Sequence, residues 1–205
     1  MNNKYLILTA QAVSLVFSPF YLPLVAFLVL FFFSYLSYTS LPYSLGIIAM
    51  VYVFTILVPR LGIYLYRKVN GWTSHQLGRK ERRYVPYAIS IASYATLLYI
   101  MDNLRMPRFT LGIVAGALSI QIVCALINPW IKISTHSAAS GGVIGALIAF
   151  SFMLGFDPTF WLCVCIVLAG MVSTARLILR QHTLLELGLG TVVGIICGFL
   201  CLLLV

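Results

Sequence analysis

Acidic side chains are almost missing from this chain. There are four in 205 residues, against thirteen lysines and arginines. Charged residues of either sign make up 8% and hydrophobic ones 62%, whereas a soluble domain is about a quarter charged and about half apolar. That balance excludes a water-soluble globular domain. Linkers, low-complexity tracts and internal repeats are also missing, so residues 1–205 read as one domain. No Cys-x-x-Cys pair occurs. Cys124, Cys163, Cys165, Cys197 and Cys201 all fall in apolar runs, as small core residues do, which argues against a disulfide framework or a metal cluster. Histidine is scarce too: His75, His136 and His182 are all there are.

What the chain does have is long apolar runs. They are continuous rather than alternating, so they read as helices, and about 20 such residues cross a bilayer core. Lipid offers the backbone no partners, which is why helices are the economical solution. The expected class is all-α, a polytopic transmembrane bundle of six or seven helices. Residues 5–17 alone would reach only about 20 Å, which suits a half-helix or an interfacial piece. Lys4 and the apolar stretch after it have the outline of a signal peptide, but no small-residue cleavage site follows, so the segment is expected to be retained. Residues 20–37 are expected to be the first span. Further helices are expected at 43–66, with Pro59 as a kink, and at 84–101, 109–128, 137–154, 159–177 and 183–204.

The polar breaks at 67–83, 129–136 and 176–186 are separated by pairs of helices, so they share one membrane face. Each holds one histidine. That face also carries Arg60, Arg67, Lys68, Arg79, Lys80, Arg82, Arg83, Lys132, Arg176 and Arg180, while the opposite face holds Arg105 and Arg108. In a soluble protein the net charge of +9 would suggest nucleic acid. Cations between apolar segments instead suit orientation by the positive-inside rule, binding of an anionic headgroup, or both. No nucleic-acid partner is expected.

The third break concentrates the chemistry. His182 and Glu186 are four apart and share a helix face. A carboxylate there can fix one ring nitrogen and leave the other as nucleophile or base. Arg176 is six before His182, so a turn near residues 179–181 is needed to bring them together. Its planar fork suits phosphate oxygens. The alternative is an interface anchor beside a structural ion pair, although ionisable residues at membrane depth are by default functional. In the second break, Lys132, Ser134, Thr135 and His136 precede a run of small residues. Ser134 or Thr135 can cap the next helix, whose N-terminus is a ready anion site, and His136 can give a proton to a leaving group. The bland alternative is an ordinary capped helix. In the first break, residues 79–83 read as a cytoplasmic anchor or as a phosphate clamp led by Arg83, and His75 as solvated or lipid-facing.

In order, the three breaks resemble the type 2 phosphatidic acid phosphatase superfamily. Its signature is Lys-x6-Arg-Pro, then Pro-Ser-Gly-His, then Ser-Arg-x5-His-x3-Asp. The third part is matched in spacing by Ala175-Arg176-x5-His182-x3-Glu186, with Ala for Ser and Glu for Asp. The second is matched by Ile133-Ser134-Thr135-His136. The first is loose: Arg83 lies three before Pro86, and Gln76 stands where the lysine would be. The resemblance implies a metal-independent enzyme without cofactors. His182 would attack phosphorus, Glu186 would orient it, and His136 would protonate the leaving oxygen. Arg176, Arg83 or Arg82, Lys132 and the Ser134–Thr135 backbone would hold the phosphoryl oxygens.

The expectation is therefore a membrane lipid phosphatase acting on a lipid phosphate monoester or pyrophosphate. A lipid phosphotransferase of the same superfamily would use the same histidine intermediate with an alcohol in place of water. A small transporter is the rival from another class, but transporter sites lie near the midplane, and the titratable groups here gather at one face. The resemblance points to a bacterial inner membrane. Charge favours a cytoplasmic site, whereas bacterial members of the superfamily more often work on the outer face.

Overall fold

A computed structural model describes residues 3–72 and 82–204. Among these there are eight helices and no strand: α1 (Asn3–Val16), α2 (Leu22–Phe33), α3 (Leu41–Val69), α4 (Tyr84–Asn103), α5 (Arg108–Ile127), α6 (Thr135–Leu154), α7 (Thr159–Ile178) and α8 (Leu184–Leu204). The last six, α3 to α8, are each long and apolar enough to cross a membrane. Their outward faces carry side chains that a soluble protein would bury, among them Tyr99, Phe160 and Val167. The chain is an all-α, multi-pass membrane protein.

The expected first span, residues 20–37, is not one continuous helix, and its helical part is shorter than the six. α2 has twelve residues, about 18 Å of helix. Ser34 ends it. Its hydroxyl donates back to the Leu30 carbonyl at 2.6 Å and accepts the Leu36 N–H at 3.2 Å, replacing the helical ladder with side-chain bonds. A short 3₁₀ turn, Tyr35–Tyr38, follows. α1 is also short, as its length suggested, and lies against α7. Neither short helix shifts the parity of the three breaks.

Pro59 acts on α3 as expected, through the turn before it. A proline ring cannot complete the i→i−4 ladder, and residues Val53–Leu57 widen into a π turn. The displaced Phe54 carbonyl accepts the Ser93 hydroxyl of α4 at 2.5 Å, which ties the two helices together where the ladder is broken.

Two kinds of packing hold the bundle. Between α2, α3, α4 and α5 the contacts are large side chains: Phe27, Phe31, Val51, Tyr94, Leu97, Met101 and Val114 form one buried cluster. Between α6 and α8 the contacts are backbone on backbone. A Cβ on Gly194 would collide with the Ala138 carbonyl oxygen, one on Gly141 with that of Thr191, and one on Gly145 with that of Ile195. Small residues at such a seam let helices approach closely, which is how helices associate in lipid. The seam continues to the candidate site, where a Cβ on Gly190 would stand 2.8 Å from the Ser134 carbonyl oxygen.

Candidate active site

The three breaks meet at one end of the bundle. Arg83, just before α4, donates from Nη1 to the Ile133 carbonyl at 3.2 Å. Lys132 Nζ donates to the Gln181 carbonyl at 3.3 Å. The Ser134 N–H donates to the Glu186 carbonyl at 3.4 Å. Residues up to a hundred positions apart are thereby fixed at the mouth of the α6–α8 seam. His75, Arg79, Lys80 and Glu81 of the first break lie outside the described residues.

His182 is buried beside the start of α8, and its Nδ1–H donates to Glu186 Oε2 at 2.7 Å. A carboxylate only accepts, so the proton is on Nδ1 and the lone pair on Nε2. Glu186 is held by a second device. Its Oε2 accepts the Thr183 N–H at 3.3 Å, and its own N–H donates to the Thr183 hydroxyl at 3.4 Å. This is a capping box, legible in the sequence as Thr183-x-x-Glu186 and missed there. Burial, together with the charges of Arg176, Arg83 and Lys132, holds the His182 imidazole below its usual pKa, against the opposing pull of the Glu186 hydrogen bond. The ring is neutral near pH 7 with a free nitrogen, as a nucleophile requires.

His136 lies in the first turn of α6. Its Nε2–H donates to the Ser14 carbonyl at 3.2 Å, and Nε2 is 3.5 Å from the Ser14 hydroxyl. Its Nδ1 is buried without a partner among the described residues. His136 and His182 are within electrostatic reach of one another. Ser134 caps α6, accepting the Ser137 N–H on its hydroxyl at 3.4 Å. With its own N–H given to Glu186, Ser134 has no backbone donor left for a phosphoryl oxygen. The N–H groups of Thr135 and His136 fall in the first turn, where the helix supplies no acceptor.

Arg176 reaches the site because α7 ends in a Schellman turn. The Gln181 N–H returns to the Arg176 carbonyl and the Arg180 N–H to that of Leu177, with Arg180 at φ 51°. That left-handed position is usually a glycine's. The turn is the reversal that the spacing of Arg176 and His182 required. Arg176 Nη1 donates to the Ser14 hydroxyl at 2.9 Å, while its Nε is buried without a partner among the described residues. Arg83 lies over the Tyr87 ring as it reaches Ile133. Arg82 turns away and stacks on Trp72, 4.2 Å from the ring centroid. Of the two arginines offered by the sequence, Arg83 joins the cluster. Lys132 is pulled below the usual lysine pKa by partial burial, then by Arg83, while Glu186 opposes the shift.

Ser14 is the member that sequence reasoning missed. It joins across 122 and 162 residues, and a lone serine in an apolar segment gives no signal of such a role. Among the described residues no three His, Cys, Asp or Glu side chains gather as a metal centre would require. Compared with known protein families, characterised proteins and solved structures, the chain matches none. The likeness to the phosphatase superfamily therefore rests on the residues just described.

Proposed function

We propose that this chain is a membrane lipid phosphatase that releases phosphate from a lipid phosphate monoester or pyrophosphate through a phosphohistidine on His182. The observation that carries the reading is the 2.7 Å bond from His182 Nδ1 to Glu186, which leaves Nε2 available beside Arg176, Arg83 and Lys132. Phosphoryl transfer asks a protein chiefly for positioning and charge stabilisation, and this cluster supplies both.

In the first step His182 Nε2 attacks phosphorus, a P–N bond forms and the ester P–O bond breaks. His136, protonated on both ring nitrogens once the negative charge of the substrate is in the site, gives its Nε2 proton to the leaving oxygen. Glu186 supports the imidazolium that develops. In the second step a water oxygen attacks phosphorus, its proton passes to His136, and the P–N bond breaks to restore His182. Arg83 neutralises the equatorial oxygens, and Arg176 the charge shared between them and the leaving oxygen. The cluster lies at one end of a bundle of membrane-length apolar helices, so a substrate embedded in the bilayer suits this reading better than a soluble one.

The test is phosphate release by purified protein in detergent over a panel of lipid phosphates, comparing wild type with His182→Ala. Release that disappears in the variant, together with inhibition by vanadate, supports the reading. Near-normal release by His182→Ala overturns it. Transfer of phosphate to an added alcohol, with none set free, would instead assign the phosphotransferase reaction.

A further inference from the structure

Ser14 marks a direction. Its hydroxyl oxygen accepts from Arg176 Nη1 at 2.9 Å and stands 3.5 Å from His136 Nε2. An oxygen shared by a phosphate-binding guanidinium and a proton donor stands where the bridging oxygen of a phosphate ester belongs. The side of His136 that faces α1 is then the side on which the leaving group departs. A shallow, open recess of about 280 Å³ lies on that side. Five of its seven lining residues are polar: Gln11, Ser14, Ser18, His136 and Gln181. Three of these come from the N-terminal segment. Gln11 and Ser14 are three apart on one face of α1, and Ser18 follows one turn later.

We propose that α1 is the leaving-group wall of the site, and that Gln11 and Ser18 select lipids whose phosphate is carried on a hydroxyl-bearing headgroup. The inference rests on the phosphatase reading and deepens it. A bare hydrocarbon alcohol placed there would leave the buried Ser18 hydroxyl without a partner and displace water from the exposed Gln11 amide, whereas a polyol would bond both. Sites built to bond a substrate hydroxyl reject analogues lacking it more strongly than apolar pockets reject added hydroxyls. The recess also has room for a headgroup of several heavy atoms beyond the ester oxygen. α1 need not cross the membrane for this role. The role needs only the end of α1 at the site, which its contact with α7 provides.

The experiment compares kcat/KM on two probes in the same detergent: a diacyl lipid with a phosphorylated glycerol headgroup, and a polyprenyl phosphate. The wild type is expected to prefer the first by tenfold or more. Gln11→Leu and Ser18→Ala are each expected to shrink that preference several-fold, mainly through the glycerol-bearing probe. Gln11 is exposed, so leucine there is compatible with a membrane helix. Thr9→Ala is the control, because the exposed Thr9 hydroxyl only bonds back to the Tyr5 and Leu6 carbonyls, and it should leave the ratio unchanged. Release from both probes at equal efficiency, or equal losses on both in the variants, overturns the selectivity while leaving the phosphatase reading standing. No release from any lipid phosphate overturns both.

Discussion

The two halves of the bundle are held together differently, and the two histidines of the candidate site belong to only one of them. Between α2 and α5 the helices are spaced by Phe27, Phe31, Tyr94, Leu97 and Met101, flexible side chains that can repack. Between α6 and α8 the spacing is set by Gly141, Gly145, Gly194 and Gly198 against carbonyl oxygens, and nothing there can give way. His136 begins α6, and His182 with Glu186 begins α8. The rigid seam therefore sets the separation of the two histidines, which the proposed reaction would need held to a few tenths of an ångström. The softer half supplies membrane anchorage and the Arg83 arm.

The largest effect should come from breaking the seam. Gly194→Leu is expected to abolish folded protein, read as loss of a monodisperse peak in detergent. Leu97→Ala in the other half, which leaves only a cavity to be compensated, should cost on the order of 2 kcal/mol and spare phosphate release per folded molecule. Equal tolerance of both would erase the contrast. His182→Ala should bring phosphate release to background with an unchanged melting temperature, separating chemistry from packing within the rigid half.

Glu186→Gln should lower kcat by about a hundredfold with little change in KM, because it acts on an imidazolium formed during the reaction. Thr183→Ala, which removes one arm of the capping box, should cost about 1 kcal/mol of stability and a smaller part of kcat. An effect on KM alone would remove the orienting role.

The pH profile sharpens the same point. In the folded chain burial draws His182 down from 6.5 to about 4, while the unfolded chain takes up its proton near the ordinary value. Acidification from about 6.5 toward 4 thus loads protons on the unfolded state, and stability from this group, full above that window, falls through it. The acid limb of kcat/KM due to His182 should accordingly lie near pH 4 rather than 6.5. The smallest effect is expected from Met101→Leu, a volume-conserving change in the soft half. It should cost under about 1.5 kcal/mol and leave activity unchanged, measured by thermal melting beside the phosphate assay.

Much of this architecture could be read from the residues, and the misreadings have physical causes. Six long apolar segments declare themselves because lipid leaves a backbone no alternative to helix. The break in residues 20–37 was hidden because Ser34 looks innocuous until its hydroxyl bonds back to Leu30. The turn at 179–181 was implied by the need to bring Arg176 and His182 together, and Arg180 supplies it in a left-handed conformation. Sequence spacing could not separate Arg82 from Arg83, since Trp72 decides the matter by drawing one of them away. Ser134 was legible as a cap, but not as a donor already spent on Glu186, because that bond spans two breaks. Ser14 lay beyond any local pattern.

Thr183 makes no hydrogen bond to the His182 ring among the described residues, yet it holds the carboxylate that holds that ring. Glu186 has two duties, securing the first turn of a membrane helix and aiming an imidazole. A substitution of Glu186 would lose both together. A change at position 183 reaches the imidazole only through that carboxylate, so it should move reactivity by a smaller step than a change at 186.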